Sequence, residues 1–534
     1  MPKLHLLTLA KAASLIPDDA VITVSSSSGL GCPDAMLRAI GERFRETGQP
    51  RNLTSVHPIA AGDMYGIAGV DHLAIPGLLK RVIAGSLPSG PSSLPSPAIW
   101  KLITENQIEA YNLPSGLLFH LHREAAAGRP GILTKVGLDT FIDPRRQGGK
   151  MNDLTREDLV RLVEFDGDEW LYMRSLHPQI AIIRGTTADE FGNISMEHEG
   201  AYLGALDQAL AVRNAGGAII AQVKRLAAKG SLRPQSVRVP GTLVDYVVLD
   251  PDQKQTTQTV YDPAISGEIS QPDSSFETVD FGIEKWIARR AALELHTDDA
   301  VNLGFGICAL VPRILLEEKQ HRAVTWVIEQ GAVGGMPLLG FAFGCAGNAD
   351  AIVASPDQFT YFQGGGFDCS MLSFLQIDES GSVNVSRLAS RPHVTAGAGG
   401  FIDITARAKA IVFCGTFTAG GLDAQFVEGK LEIVREGKSK KFVKEVEHVT
   451  FSGRRAKAQK QEVTYVTERC VVRLEPDGLT VIEVAPGIDL KKQVLAQADC
   501  ELKVSPNLRT MDTRIFLPSP IGLELPDPRR KRVN

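Results

Sequence analysis

Glu329 is the residue whose type and setting most plainly invite chemistry. It closes a β-branched run, AVTWVIE, and opens a loop that holds Gly331, Gly334 and Gly335. An acid delivered at the carboxyl end of a strand, into a loop with little side-chain bulk, suits a group that a large ligand must reach. A second pattern lies upstream, where a strand-like run enters Gly304-x-Gly306-x-x-Ala309 and then a helical stretch. Read literally this GFGICA turn is a dinucleotide fingerprint with Glu329 on a ribose hydroxyl, which makes an NAD-dependent oxidoreductase one alternative. Two further loops, Gly364-Gly365-Gly366 and Gly397-Ala398-Gly399-Gly400, expose backbone N–H groups of the kind that approach phosphates or a developing oxyanion.

Other chemistry finds little support. His120 and His122 are two apart in a helical stretch, so they do not share a face, and a metal site is not expected. There is no GxSxG elbow. The seven cysteines are scattered and lack CxxC spacing, which fits reduced thiols in a cytosol better than a disulfide framework.

The elements that must position these residues alternate. Short β-branched runs at 20–24, 181–183, 218–223 and 244–249 are separated by helical patterns at 33–47, 97–110 and 117–127, the last ending at Gly128. That order predicts an α/β fold with mainly parallel sheets flanked by helices. The chain also repeats itself. Asp18-Asp19-Ala20-Val21 matches Asp298-Asp299-Ala300-Val301, each leading into a Gly-x-Gly turn, a proline and a helix. Residues 53–58, LTSVHP, match 324–329, VTWVIE; residues 188–193, ADEFGN, match 377–382, IDESGS. Three matches in the same order indicate a diverged duplication, hence two homologous α/β domains, 1–275 and 276–534. In the second match Pro58 stands where the other copy has Glu329, so only one copy needs the acid.

A polar, proline-bearing stretch at 251–278 reads as a linker or surface excursion. Residues 426–461, rich in Lys and Glu with strand alternation, read as a solvated hairpin region, and the basic tail DPRRKRVN as a frayed end. A chain of 534 residues with 22% charged residues and a net charge of −5 has the composition of a globular enzyme and speaks against broad nucleic-acid binding. The start lacks a signal-peptide pattern, and the longest uncharged run, 330–349, is too rich in Gly to be a membrane span.

With these residues in view, the chain resembles the family I coenzyme A transferases, in particular the fused single-chain branch that contains acetate and propionate CoA-transferases. Asn302-Leu303-Gly304-x-Gly306-Ile307 followed by Glu329-x-Gly331-x-x-Gly334 resembles the family's β-part. FQGGGFDCSMLSFLQID (362–378), GAGGFIDIT (397–405) and TERCVVRLEPDGLTVIEVAPGIDL (467–490) resemble its later segments. Gly29-x-Gly31-x-Pro33, NLPSG (112–116) and VGLDTFIDPR (136–145) match the α-part, so the likeness covers nearly the whole chain. The resemblance implies that Glu329 is the catalytic residue. It implies oxyanion or CoA-binding roles for Gly397, Gly399, Gly400, Gly29 and Gly31, with Gly399 and Gly400 as the oxyanion donors. It places Ser115 and Gln330 at the acyl pocket; Ser115 stands where the family commonly has Gln, and Gln330 where it often has Asn. The implied reaction passes CoA between a short acyl-CoA and a short carboxylate through a glutamyl anhydride and a glutamyl-CoA thioester. An acyl-CoA hydrolase is the alternative on the same scaffold. No permanently bound cofactor, metal, nucleic acid or membrane is expected, and a cytoplasmic homotetramer is.

Overall fold

The computed structural model describes residues 4–89 and 94–529. Two ten-stranded sheets dominate it. Along the first, the order is His5–Leu7, Tyr246–Leu249, Ala218–Ala227, Ile180–Asp189, Val21–Val24, Leu53–His57, Leu79–Ala84 and Glu109–Asn112, and each neighbouring pair is parallel. The centre of the second runs Thr325–Val327, Ala300–Leu303, Cys369–Ser373, Ala410–Cys414 and Glu462–Val466, also parallel, with antiparallel pairs towards both ends. Strand Ile180–Asp189 is buried at every position, as a parallel strand covered on both faces must be. The expected α/β architecture of mainly parallel sheets flanked by helices is what the chain adopts.

The two central sheets share one strand order, which supports the internal repeat. Strand Val21–Val24 lies between Leu53–His57 and Ile180–Asp189, and strand Ala300–Leu303 lies between Thr325–Val327 and Cys369–Ser373. The register corrects one detail of the sequence matching. Val21 pairs with Thr54 and Ala300 with Thr325, so Val21 corresponds to Ala300, one residue away from the Asp-Asp match. The match of Pro58 with Glu329 stands in this register. The third match is also visible. The Asp189 carboxylate accepts N–H bonds from Phe191 and Asn193, and that of Asp378 from Ser380 and Ser382, with Gly192 and Gly381 both left-handed at φ of 79° and 82°.

Several boundaries differ from expectation. Helix Asp34–Thr47 ends on a left-handed Gly48 and helix Ser115–Ala126 is followed by a left-handed Gly128, close to the predicted spans. The helix predicted at 97–110 stops at Thr104, because Asn106 turns left-handed (φ 55°) and the chain then enters strand Glu109–Asn112. The stretch 251–278 is no loose linker: Gln253, Gln255, Thr256 and Thr257 are buried, and the Lys254 carbonyl accepts from the buried Arg184, whose guanidinium also pairs with Glu199. Residues 426–461 begin within a hairpin, Asp423–Val427 with Lys430–Arg435, but then pack inward through Phe442 and Phe451 and end in helix Gly453–Ala458. In the basic tail, 530–534 lie outside the described residues, and Arg529 is anchored on Asp299 and Glu462, each at 3.1 Å.

Candidate active site

Glu329 follows strand Thr325–Val327 by two residues, and its carboxyl reaches into the seam between the two sheet systems. The Gln330 side chain donates to it at 3.2 Å, and the Gly400 N–H beside it also favours the ionised form. Burial nevertheless wins over these donors and raises its pKa to about 7. Gly400 has to be glycine here: a Cβ at that position would overlap Glu329 Oε2 and come within 2.7 Å of the Phe359 ring.

The loop carrying Gly400 is tied to the first half by main-chain and amide bonds. The Gly399 N–H donates to the Gly85 carbonyl at 2.8 Å and the Gly399 carbonyl accepts from the Ser115 N–H at 2.9 Å. Asn112 donates to the Ala84 and Gly85 carbonyls and accepts from the Ala398 N–H. Gly85 in turn lies hard against the Pro58 carbonyl and Ser115 Oγ. Of the two equivalent strand ends, Glu329 lies against Gly400 of this loop, and Pro58 lies against Gly85, which accepts from its Gly399.

The residues anticipated for the site are distributed as follows. Glu329, Gln330, Gly400 and the neighbouring Gly399, Gly397 and Ser115 come together. The Gly399 amide donates to the Gly85 carbonyl, and of the two neighbours it is Gly400 that lies beside Glu329. Gly397, left-handed at φ 106°, packs on Asn112. Ser115 is fully buried, and its hydroxyl has no hydrogen-bond partner among the described residues. Gln330 bridges Glu329 to Ser27 Oγ, again at 3.2 Å. Gly29 and Gly31 belong to the turn just after Ser27 but face Asp63, Thr257 and Leu203 of their own half, not Glu329.

Two contributors were not singled out from sequence. Phe359 covers Gly400. Asp403, fully buried, accepts from the Gly116 N–H at 2.9 Å and from Gln363 Nε2 at 2.8 Å. Burial lifts its pKa to about 7, and the Glu329 charge adds to the rise. Its only signal in the sequence was its place in GAGGFIDIT.

The GFGICA turn has another use. Gly306 packs against Ser373, and a short 3-10 segment, Ile307–Leu310, separates the turn from helix Val311–Glu317. Glu329 engages Gly400 and Gln330 instead of this turn, so the ribose-binding arrangement is not formed. Among the described residues no group of three or more His, Cys, Asp and Glu side chains could hold a metal ion, and no helix is long and apolar enough to cross a membrane.

Like parallel sheets meeting at a desolvated carboxylate, with a backbone donor fixed beside it, make an architecture suited to acyl transfer. Comparison with known proteins agrees. The family pattern described as Coenzyme A transferase matches residues 6–250. The acetate CoA-transferase YdiF of Escherichia coli K12 is 41% identical over 532 residues, covering 98% of this chain and 97% of that protein. The caffeate CoA-transferase of Acetobacterium woodii is 42% identical over 519 residues, covering 96% and 98%. The crystal structure of the acyl-CoA transferase YdiF apoenzyme from E. coli O157:H7 superposes with a TM-score of 0.91 at 39% identity, covering 98% of each chain; its thioester complex with CoA gives 0.90. The chain belongs to the coenzyme A transferase family: it is an enzyme that moves CoA between an acyl-CoA and a carboxylate.

Proposed function

We propose that this chain exchanges CoA between a short-chain acyl-CoA and a short carboxylate, of acetate or propionate type, with Glu329 as the covalent carrier. The observation that carries this reading is the Glu329 carboxyl at the seam of the two halves, desolvated and held by the Gly400 amide and Gln330. A Glu329 oxygen attacks the thioester carbonyl, the C–S bond breaks, and CoA leaves as thiolate from an acyl-glutamyl anhydride. The thiolate then attacks the glutamyl carbonyl and expels the donor acid as carboxylate, leaving a glutamyl-CoA thioester. An incoming carboxylate reverses both steps and departs as the new acyl-CoA. The kinetics are ping-pong, and no net bond energy is needed because one thioester replaces another.

In this scheme the Gly400 amide supports the glutamyl oxyanion, Gln330 orients the carboxylate, and Ser115 lines the acyl pocket with Gly397 near it. Gly29 and Gly31 shape the turn that presents Ser27 to Gln330. CoA is both substrate and transient covalent partner, a role supported by the thioester complex with CoA in which the E. coli relative has been crystallised. We also take 1–275 and 276–534 as the two domains, and the working enzyme as a cytoplasmic homotetramer, for which sedimentation is the check.

Incubation with acetyl-CoA alone, borohydride reduction and peptide mass spectrometry should find a reduced side chain at Glu329. Absence of any adduct overturns the reading, and steady CoA release without an acceptor favours a hydrolase.

The pH profile follows from the raised carboxyl. The nucleophile is the ionised form, so kcat/KM for acetyl-CoA should fall about tenfold per pH unit below an apparent pKa near 7, where an ordinary Glu would hold the rate to near 4.5. Rates measured from pH 5 to 9 at saturating acceptor check this. A flat profile down to pH 5 contradicts it.

A further inference from the structure

We propose that Asp403 is a positioning residue for the transfer reaction, clamping the start of helix Ser115–Ala126 to the loop that carries Gly400. This rests on the reading of Glu329 as nucleophile and adds a part to it.

The helix begins after Pro114 with no side-chain cap of its own and no acid in its first turn. Its first N–H groups therefore lack the usual acceptor. Asp403 supplies one from the other half of the chain, through the bond from Gly116 N–H to Oδ2 at 2.9 Å. An anion at a helix N-terminus is favoured both by the free N–H groups and by the helix dipole. The contact needs a glycine, since a Cβ on Gly116 would sit 2.7 Å from Asp403 Oδ1 and 2.7 Å from the Phe359 ring.

Asp403 lies three residues beyond Gly400, on helix Phe401–Thr405. Fixing its carboxyl at Gly116 fixes the orientation of that short helix, and with it the Gly400 N–H aimed at Glu329. Oδ1 is held from the third side by Gln363 Nε2 at 2.8 Å, on helix Ser355–Gln363. The groups facing Asp403 are thus Gly116, Gln363 and the Glu329 charge, with His120 beyond Gln363. A bare hydrogen-bonding role in folding would need neither the glycine nor a carboxylate next to Glu329.

Asp403→Ala and Asp403→Asn separate the possibilities, measured with acetyl-CoA and propionate. The alanine variant should lose about 10–100-fold in kcat with KM for acetyl-CoA changed less than about threefold, as displaced catalytic groups do. The asparagine variant can still accept from Gly116 and, after rotation of the Gln363 amide, donate to it. It should recover kcat to within about threefold. Its acid limb should stay where the wild type has it, since burial and not Asp403 raises Glu329, while the Glu329 charge raises Asp403. Wild-type kcat in a folded alanine variant overturns the proposal. If the alanine variant does not fold, Gly116→Ala decides: its Cβ would push on Asp403 and Phe359, so kcat should fall while KM for acetyl-CoA holds, and wild-type kcat overturns the proposal. A wild-type enzyme that forms no Glu329 adduct would instead remove the underlying reading, which the same preparations show directly.

Discussion

Glu329→Gln should lose transfer activity by about 10⁴-fold or more while making the protein harder to unfold above pH 7. The first half of this outcome follows from chemistry. An amide neither attacks a thioester at a useful rate nor forms an anhydride, so the covalent route closes. The second half follows from linkage. The Glu329 carboxyl titrates near 7 in the folded protein against an ordinary 4.5, so the folded state holds the proton more tightly than the unfolded chain. Its contribution to stability is fully present below about pH 4.5 and is lost as pH rises through 7, amounting to something on the order of 3 kcal/mol. A neutral glutamine does not suffer that loss. Its geometry is tolerable too, because Gln330 Oε1 has no partner among the described residues and can turn to accept from the new NH₂ group while the new carbonyl stays beside the Gly400 N–H. Chemical denaturation at pH 5 and pH 8 should show the variant gaining stability over wild type mainly at the higher pH. Equal stability at both, or retained transfer, would remove Glu329 from its proposed role.

Such a gain on disabling the site is the mark of a residue kept for chemistry. The same tension explains why Glu329 could be singled out from sequence. A strand-end acid in a glycine-rich loop breaks the local pattern, and the repeat isolates it because Pro58 holds the equivalent place. The parallel sheets were legible for a similar reason: runs such as 181–183 and 218–223 are short, β-branched and bounded by turn residues. The overrun at 97–110 shows the limit of that reasoning, since apolar spacing continues through Ile108 while the backbone has already turned at Asn106.

What the sequence could not show is the set of contacts that close the site. The Gly116–Asp403 and Asn112–Ala398 bonds join residues 287 and 286 positions apart, and although both ends lie in NLPSG and GAGGFIDIT, nothing local says that the two segments meet. Gly399 and Gly400 illustrate the same gap. As neighbours in a glycine cluster they look interchangeable as oxyanion donors, and only their tertiary partners distinguish them. One amide serves Gly85 and the other serves Glu329.

That difference gives the second large expected effect. Gly400 sits at φ −85° and ψ −1°, a conformation open to alanine, so Gly400→Ala carries no backbone penalty of its own. Its methyl group would overlap Glu329 Oε2 and crowd Phe359, and the carboxylate has to move off the amide that supports it. Losing one such donor costs about 10²–10³ in kcat. Gly399→Ala reverses both conditions. Gly399 is left-handed at φ 54°, so the substitution strains the backbone by about 1 kcal/mol, yet its Cβ would meet only Ser86 Oγ, at 3.7 Å. The Gly85 bond and the Glu329 donor both survive. Gly399→Ala should therefore melt about one to two degrees lower and keep its activity within about threefold, whereas Gly400→Ala should lose activity by two to three orders of magnitude. The acid limb of Gly400→Ala should also shift upward, since the carboxylate is displaced from the N–H that favours its ionised form. If the two variants lose activity equally, the oxyanion support belongs to the loop as a whole and not to the Gly400 amide.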